Sequence, residues 1–341
     1  MVPPRPVTLK QVAQQAEVSR AAASFALTGR PGVSADTRAR VLRIAEELGY
    51  SPNRTARNLR TSTSGIIAVY LPPNVSTMSY YMEATFGMID RAETTGRVVT
   101  LIPHTLDVTR PGGLSADGVI VLDPTAEDPM LSGLLGTGLP VVSGEKMPSS
   151  LPTPSGQVVS DHSASTREVL DAFASAGAIS PAVITTHDRM SWVLAIEEAY
   201  LQWCAEHGVA PRLQASSLDD LAESTREATN ALLTDSVDDM GAVDAILALT
   251  DGSVLNVVTS ATESGRTIGD DLLIAAAVDS PVLGYTDPAV TAVDLHPREF
   301  GRTCMSVMER VLDADDPDAE TITEVVGTRV IHRASTAGRP R

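Results

Sequence analysis

The sequence predicts a small all-α head followed by a two-lobed α/β body built on parallel sheets. Three observations lead there: capped helices in tandem near the N-terminus, opposite charge on the two parts, and short apolar runs alternating with helical stretches through the rest. Residues 1–60 hold ten basic and four acidic side chains, a net +6, in a chain of 341 residues whose total is −17, so the remainder carries −23. A basic head can displace counterions from a phosphate backbone, while an acidic body is repelled by one. Pattern alone would equally allow a helical cap or dimerisation module; charge argues against it.

The head begins at Thr8-Leu9-Lys10-Gln11, a capping box in which Thr8 serves an orphan amide and Gln11 reaches back. Leu9, Val12, Ala13 and Ala16 form one apolar face. After the turn at Glu17-Val18, Ser19 caps a second helix that points Ala22, Ala23, Ala26 and Leu27 toward the first. Two short helices across a tight turn make a helix-turn-helix. Ser34 caps a third helix, expected to bury Val41, Leu42, Ile44, Ala45 and Leu48 and to stop at Gly49. Pro52 breaks the chain, Asn53 caps a short segment through Arg60, and Ser62 to Gly65 reads as a linker.

In the body, strands are expected at Ile66–Leu71, Val98–Ile102, Gly118–Leu122, Pro140–Ser143, Val158–Ser160, Ala182–Thr185, Ala245–Leu249 and Leu272–Val278. Helices are expected at Tyr80–Arg97, Ser163–Ala176, Trp192–His207, Leu218–Leu233 and Val254–Gly265. Such alternation gives parallel sheets covered on both faces, and a body of this length exceeds one core, so two lobes follow. Ligands in sheets of this kind sit at the carboxyl ends of the strands. Between Pro103 and Ser115, with Pro111-Gly112-Gly113 inside, there is too little chain for a helix.

Taken in order, Val7-Thr8-Leu9-Lys10-Gln11-Val12-Ala13, Ala16-Glu17-Val18-Ser19-Arg20, Val33-Ser34-Ala35-Asp36-Thr37-Arg38 and Leu48-Gly49-Tyr50-Ser51-Pro52-Asn53-Arg54-Thr55-Ala56 resemble the LacI/GalR family of bacterial transcription repressors. The resemblance implies a helix-turn-helix domain over residues 1–62 with a hinge helix at 53–60, and a periplasmic-binding-protein-like effector and dimerisation domain over 63–341. Its first lobe is expected at 63–160 and 292–325, its second at 161–291 and 326–341. The implied partners are a pseudo-palindromic double-stranded DNA operator, a small-molecule effector of unknown identity, and a second copy in a homodimer or a tetramer.

For DNA the candidate residues are Thr8, Leu9, Ser19, Arg20, Ala21, Ala22, Ser24, Phe25, Thr28, Ser34, Asn53, Ala56 and Leu59. Ser19, Arg20, Ala21, Ser24 and Phe25 are expected on the outer face of the second helix, opposite Ala23 and Leu27. Arg20 has two readings, a bidentate fork on guanine or a phosphate contact. Phe25 stands where many members have arginine and offers an apolar contact with a thymine methyl instead. Glu17 replaces the glycine usual in the turn. Leu59 is, by resemblance, the leucine wedged into the minor groove, and Arg54, Arg57 and Arg60 around it suit that role. Its rival reading is an ordinary packing contact.

For the effector the candidates are Tyr80, Tyr81, Asp123, Asp161, Arg189, Trp192, Thr250, Asp251 and Asp279. The arginine that binds a sugar hydroxyl or carboxylate in many members falls at Ile196, and Arg189 or Trp192 would take its place. The ligand is a sugar by resemblance only, with another metabolite, or no ligand at all, left open.

No cofactor and no metal are expected. Gly133-Leu134-Leu135-Gly136-Thr137-Gly138 has the wrong order for a dinucleotide fingerprint, and the acidic run of Asp313, Asp315, Asp316, Asp318 and Glu320 lacks the glycine of a calcium loop. Cys204 and Cys304 suggest no disulfide. An α/β enzyme with an accessory DNA-binding head, or a solute-binding receptor, is the alternative function. The polar start from Met1 to Pro6 has no apolar signal core and no segment spans a membrane, so a cytoplasmic, nucleoid-associated regulator is expected. Replacing Leu59 with alanine should lower operator affinity and reduce DNA bending in a circular-permutation gel assay; an unchanged bend would return Leu59 to packing.

Overall fold

The computed structural model describes residues 7–27, 29–50, 63–73, 79–110, 113–234, 242–314 and 320–338. They form two compact units, divided between Ser64 and Gly65. Thr28, Asn53, Ala56, Leu59 and the expected hinge helix at 53–60 lie outside the described residues.

In the first unit, α1 spans Leu9–Gln15, α2 Arg20–Leu27 and α3 Ala35–Glu47. The capping box is present: the Gln11 amide donates to Thr8 Oγ1 at 3.4 Å, and Gln11 Oε1 accepts from the Thr8 amide at 2.8 Å. Ser19 Oγ accepts from the Ala22 amide at 3.1 Å, and Ser34 Oγ from the Thr37 amide at 3.2 Å. The core is made of small side chains, Ala13, Ala16, Ala23, Ala26 and Ala45 around Val12, Val41 and Ile44, so the helices approach closely. Leu42 is a correction: it is 46% exposed. One residue past Val41 turns it about 100° away from the buried stripe. Glu17 has φ +53°, so it adopts the left-handed turn that glycine would occupy freely, at a cost of about 1–2 kcal/mol.

The second unit holds two sheets of six strands. The first has the order β11-β5-β4-β3-β1-β2, with β1 Ile66–Tyr70, β2 Val98–Leu101, β3 Gly118–Leu122, β4 Val141–Gly144, β5 Gly156–Ser160 and β11 Ile322–Val326, all parallel. The second has the order β12-β10-β9-β8-β6-β7, with β6 Pro181–Thr186, β7 Leu213–Ser216, β8 Ala245–Ala248, β9 Leu273–Ala276, β10 Thr291–Asp294 and β12 Arg329–Ile331. Only β12 runs antiparallel to its neighbour there. The helices are α4 Ser79–Thr95, α5 Pro129–Leu135, α6 His162–Ser175, α7 Ser191–His207, α8 Leu221–Thr234, α9 Asp251–Glu263 and α10 Pro297–Asp313.

The chain passes between sheets after β5, after β10 and after β11. Strand β10 pairs with β9, so Thr291–Asp294 stay in the second sheet, and the second passage comes later than the expected start of the returning segment at residue 292. Strands β7, β10, β11 and β12 were not expected. They are edge strands or brief segments with few apolar residues, which leave no apolar run to read. No helix joins β2 to β3 among the described residues, as the shortness of that link suggested.

Inside the first lobe α4 and α10 touch backbone to backbone. A Cβ added at Gly87 would lie 2.0 Å from the Arg298 carbonyl oxygen, and one at Gly301 would lie 1.8 Å from that of Ala84. Ion pairs flank the contact: Asp90 with Arg298 at 2.8 Å and Arg302 at 2.7 Å, and Glu309 with Arg91 at 2.7 Å. Below it Met88, Phe300, Met305 and Met308 fill the core against β1 and β3. Gly301→Ala should cost about 3 kcal/mol or more, read as a fall in the melting temperature of the body, because neither backbone can retreat. A variant as stable as the parent would mean that the helices part easily.

Candidate functional site

Helix α2 presents Arg20, Ala21 and Phe25 to solvent, with Ser19 exposed at its cap. Arg20 has no ion-pair partner among the described residues. Phe25 is 36% exposed and its ring leans on the loop that follows, where a Cβ at Gly32 would meet Cδ2 at 3.4 Å. That loop is held by Arg38, whose guanidinium donates to the Arg30 carbonyl oxygen at 2.6 Å. Ser24 departs from the expected outer face: at 9% exposure it lies with Ala23 and Ala26 on the packed side. Ala22 is half-buried, Thr8 is exposed but occupied as a cap, and Leu9 packs partly against the core.

The body contains a cavity of about 500 Å³, including space open to solvent, between its two lobes. The first lobe contributes Tyr80 and Tyr81 from the start of α4, Asp123 after β3 and Glu145 after β4. The second contributes His162 and Trp192 at the starts of α6 and α7, and Thr250 and Asp251 at the start of α9. Leu249, Ala277, Val278 and Leu295, which follow β8, β9 and β10, complete the wall. Every one of the strand-borne positions is at a carboxyl end, where a parallel sheet leaves side chains free to face a ligand.

A buried acidic pair lies at its centre. Asp123 and Glu145 are 6% and 5% exposed, and both have positive φ, +46° and +74°, a strain that non-glycine residues rarely carry outside functional sites. The backbone enforces it: the Asp123 amide donates to the Gly144 carbonyl oxygen at 2.8 Å and the Glu145 amide to that of Val158 at 2.7 Å. The Tyr81 hydroxyl donates to Asp123 Oδ2 at 2.5 Å. Glu145 Oε1 accepts from the Ser160 amide at 3.2 Å and lies 3.1 Å from His162 Nε2. Burial, then the charge of Glu145, push Asp123 up to about 7, against the opposing pull of the Tyr81 hydrogen bond and of His162. Burial and the same carboxylates hold the Cys304 thiol well above its ordinary range, so it stays protonated and unreactive. Stacking surfaces are at hand: Tyr80 meets Tyr81 edge-on at 5.4 Å, and Trp192 lies 6.1 Å from the His162 ring.

Of the effector candidates the structure brings together Tyr80, Tyr81, Asp123, Trp192, Thr250 and Asp251. Three others do not line the cavity. Asp161 caps α6, accepting from the Ala164 amide at 2.9 Å. Arg189 pairs with Glu197 at 3.0 Å and so does not replace the missing arginine, while Ile196 is buried in the core of the second lobe. Asp279 is gripped by Arg333 through bonds of 2.8 and 2.9 Å. Sequence reading missed Glu145 and His162. Their only signal was position, each one or two residues beyond an apolar run.

Residues 8–53 match the profile described as bacterial regulatory proteins, lacI family. The chain belongs to that family. Residues 170–336 of this LacI-family chain match a periplasmic binding protein-like domain. It is 28% identical to the HTH-type transcriptional regulator CelR of Thermobifida fusca over 310 residues, covering 86% of this chain and 88% of the relative. It is 24% identical to catabolite control protein A of Priestia megaterium, covering 93% and 96%. In fold it is similar to a lac repressor dimer bound to operator and an anti-inducer, with TM-score 0.76 at 19% identity over 97% of this chain and 99% of that one. A CelR–cellobiose complex superposes with TM-score 0.70 at 23% identity, covering 97% and 100%. The LacI-family chain is thus a DNA-binding transcriptional regulator. Among the described residues no helix is long and apolar enough to cross a membrane, and no cluster of metal-ligating side chains occurs.

The raised value of Asp123 has a thermodynamic consequence. A carboxyl whose folded value lies above its unfolded one of 3.8 leaves the fold most stable below that pH and weakens it as pH rises to about 7. Asp123→Asn keeps an acceptor for Tyr81 and removes the charge, so it should stabilise the body at pH 8 by roughly 4 kcal/mol at most, with the gain vanishing toward pH 4. Melting curves at both ends of that range check it; equal destabilisation at both would show a charge already neutralised.

Proposed function

We propose that this LacI-family regulator represses transcription by binding a pseudo-palindromic operator as a twofold dimer, and that a small polar ligand in the inter-lobe cavity changes its operator affinity. The observation that carries the second half is the cavity itself, walled by both lobes and holding strained, buried polar groups. A ligand gripping both walls binds the open and closed arrangements unequally, which is the condition for any shift in a coupled equilibrium. The CelR–cellobiose complex makes a hydroxyl-rich, sugar-like ligand the natural class.

For DNA, Arg20 and Phe25 on the exposed side of α2 are the proposed base-facing pair, with Ser19, Ala21, Ala22, Ser34, the cap Thr8 and Leu9 near the phosphates. Thr28, Asn53, Ala56 and Leu59 complete the proposed contact set from sequence alone. For the dimer, α4 shows an exposed apolar stripe of Met82, Phe86 and Ile89, beside the exposed Val98 and Leu101 of edge strand β2. A second copy covering this patch suits an isologous interface. With no catalytic role assigned to any residue, the chain is proposed to be a regulator and not an enzyme, acting in the cytoplasm where its DNA is.

Sequence-selective binding should weaken steeply with salt, by about a thousandfold between low and physiological salt if six or more phosphates are contacted. The body beginning at Gly65 should stay folded and lose that binding, as measured by fluorescence anisotropy on an operator selected from random DNA. Tight binding by the body alone would overturn the assignment of the head.

A further inference from the structure

The charges around the cavity do not balance. Asp123, Glu145 and Asp251 line it, whereas among the described residues no lysine or arginine does. The arginines three residues from the wall along the chain are committed elsewhere, Arg189 before Trp192 to Glu197 and Arg298 after Leu295 to Asp90. Among the described residues His162 is the one basic side chain in the wall, and it is already against Glu145 Oε1 at 3.1 Å. Two of the helix N-termini that open on the cleft are served from within, Asp161 taking the Ala164 amide and Thr250 the Ser253 amide, while α7 begins after Met190 with no side-chain cap. Asp123 Oδ1 and Glu145 Oε2 receive no hydrogen bond from any described residue, although both side chains are more than nine-tenths buried. A carboxylate oxygen on a cavity wall with no protein donor is a ready acceptor for a donor on the ligand.

We propose that the ligand of this cavity carries a protonated amine, seated between Asp123 and Glu145 with Tyr80 and Trp192 beside it. The ammonium supplies donors to the two open oxygens, and an aromatic face within reach adds cation–π attraction. A carboxylate or phosphate in the same place would meet the charge of Glu145 in a low-dielectric site and be rejected. A neutral polyol would satisfy hydrogen bonds and leave the acidic pair unbalanced, so it binds less well. Asp123, whose carboxyl is pushed up to about 7 by burial and Glu145, gives its proton up when the ammonium enters. The inference rests on the reading of the cavity as an effector site and adds to it the chemical class of the effector.

The test uses the full chain and a panel matched in size: glucosamine, putrescine and agmatine as cations, glucose and cellobiose as neutral probes, glucuronate as the anion. Binding is followed by calorimetry in buffers of different ionisation enthalpy and by thermal shift. The expected result is that at least one cation binds about tenfold or more tightly than the neutral probes, that glucuronate does not bind, and that proton release accompanies cation binding. Asp123→Asn, which the electrostatics make at least as stable as the parent, should abolish the cation preference and the proton release together. Neutral or anionic probes binding as tightly as the cations would overturn the amine, a preference unchanged in Asp123→Asn would overturn its seat at Asp123, and either would leave the effector cleft standing. If every probe fails to bind at millimolar concentration, the amine and the effector reading fall together.

Discussion

Where Gly87 meets Arg298 and Gly301 meets Ala84, two helices distant in sequence lie in backbone contact, and much of the first lobe is arranged around that crossing. Glycine is required there because any Cβ would overlap a carbonyl oxygen. Asp90 and Glu309, bound to Arg298, Arg302 and Arg91, fix the register of the helices on either side. The crossing also sets the cavity. Helix α4 opens with Tyr80 and Tyr81, and α10 starts just after Leu295, so the same contact that packs Met88 on Phe300 places both aromatic rings beside Asp123.

The acidic pair shows the opposite arrangement, in which local stability is given up. Two buried carboxyls on left-handed backbone, close enough that the charge of Glu145 helps raise Asp123, are neither good packing nor a good ion pair. Tyr81, Ser160 and His162 satisfy part of each and leave the rest open. Energetic conflict tolerated at the centre of an otherwise consistent fold is the mark of a site kept for something other than folding.

What was legible in the sequence follows the range of the interaction. Caps at Thr8, Ser19 and Ser34 were readable because each is a bond between neighbours three residues apart. Strands such as Gly118–Leu122 were readable because burial on both faces makes them continuously apolar. Ser24 and Leu42 were misplaced by the angular breadth of a helical stripe, which alternation alone does not resolve. Glu145 and His162 were invisible because their meeting depends on two strands lying side by side. Asp161, Arg189 and Asp279 failed for the converse reason: a polar residue near a strand end is equally apt for a cap or an internal ion pair, and only distances to Ala164, Glu197 and Arg333 distinguish these uses.

The cavity-facing residues that follow strands come after the last paired residue of each, and their side chains take no part in the ladders. Asp123 and Glu145 give only a backbone amide to the neighbouring strand, at Gly144 and Val158, and leave their side chains, like those of Thr250 and Val278, to the cavity. Recognition and folding are therefore written at different positions of the same segment. Such a chain can exchange one ligand for another through a few substitutions past its strand ends while both sheets stay intact, and a scaffold of this kind is free to diversify in what it senses long before it changes in shape.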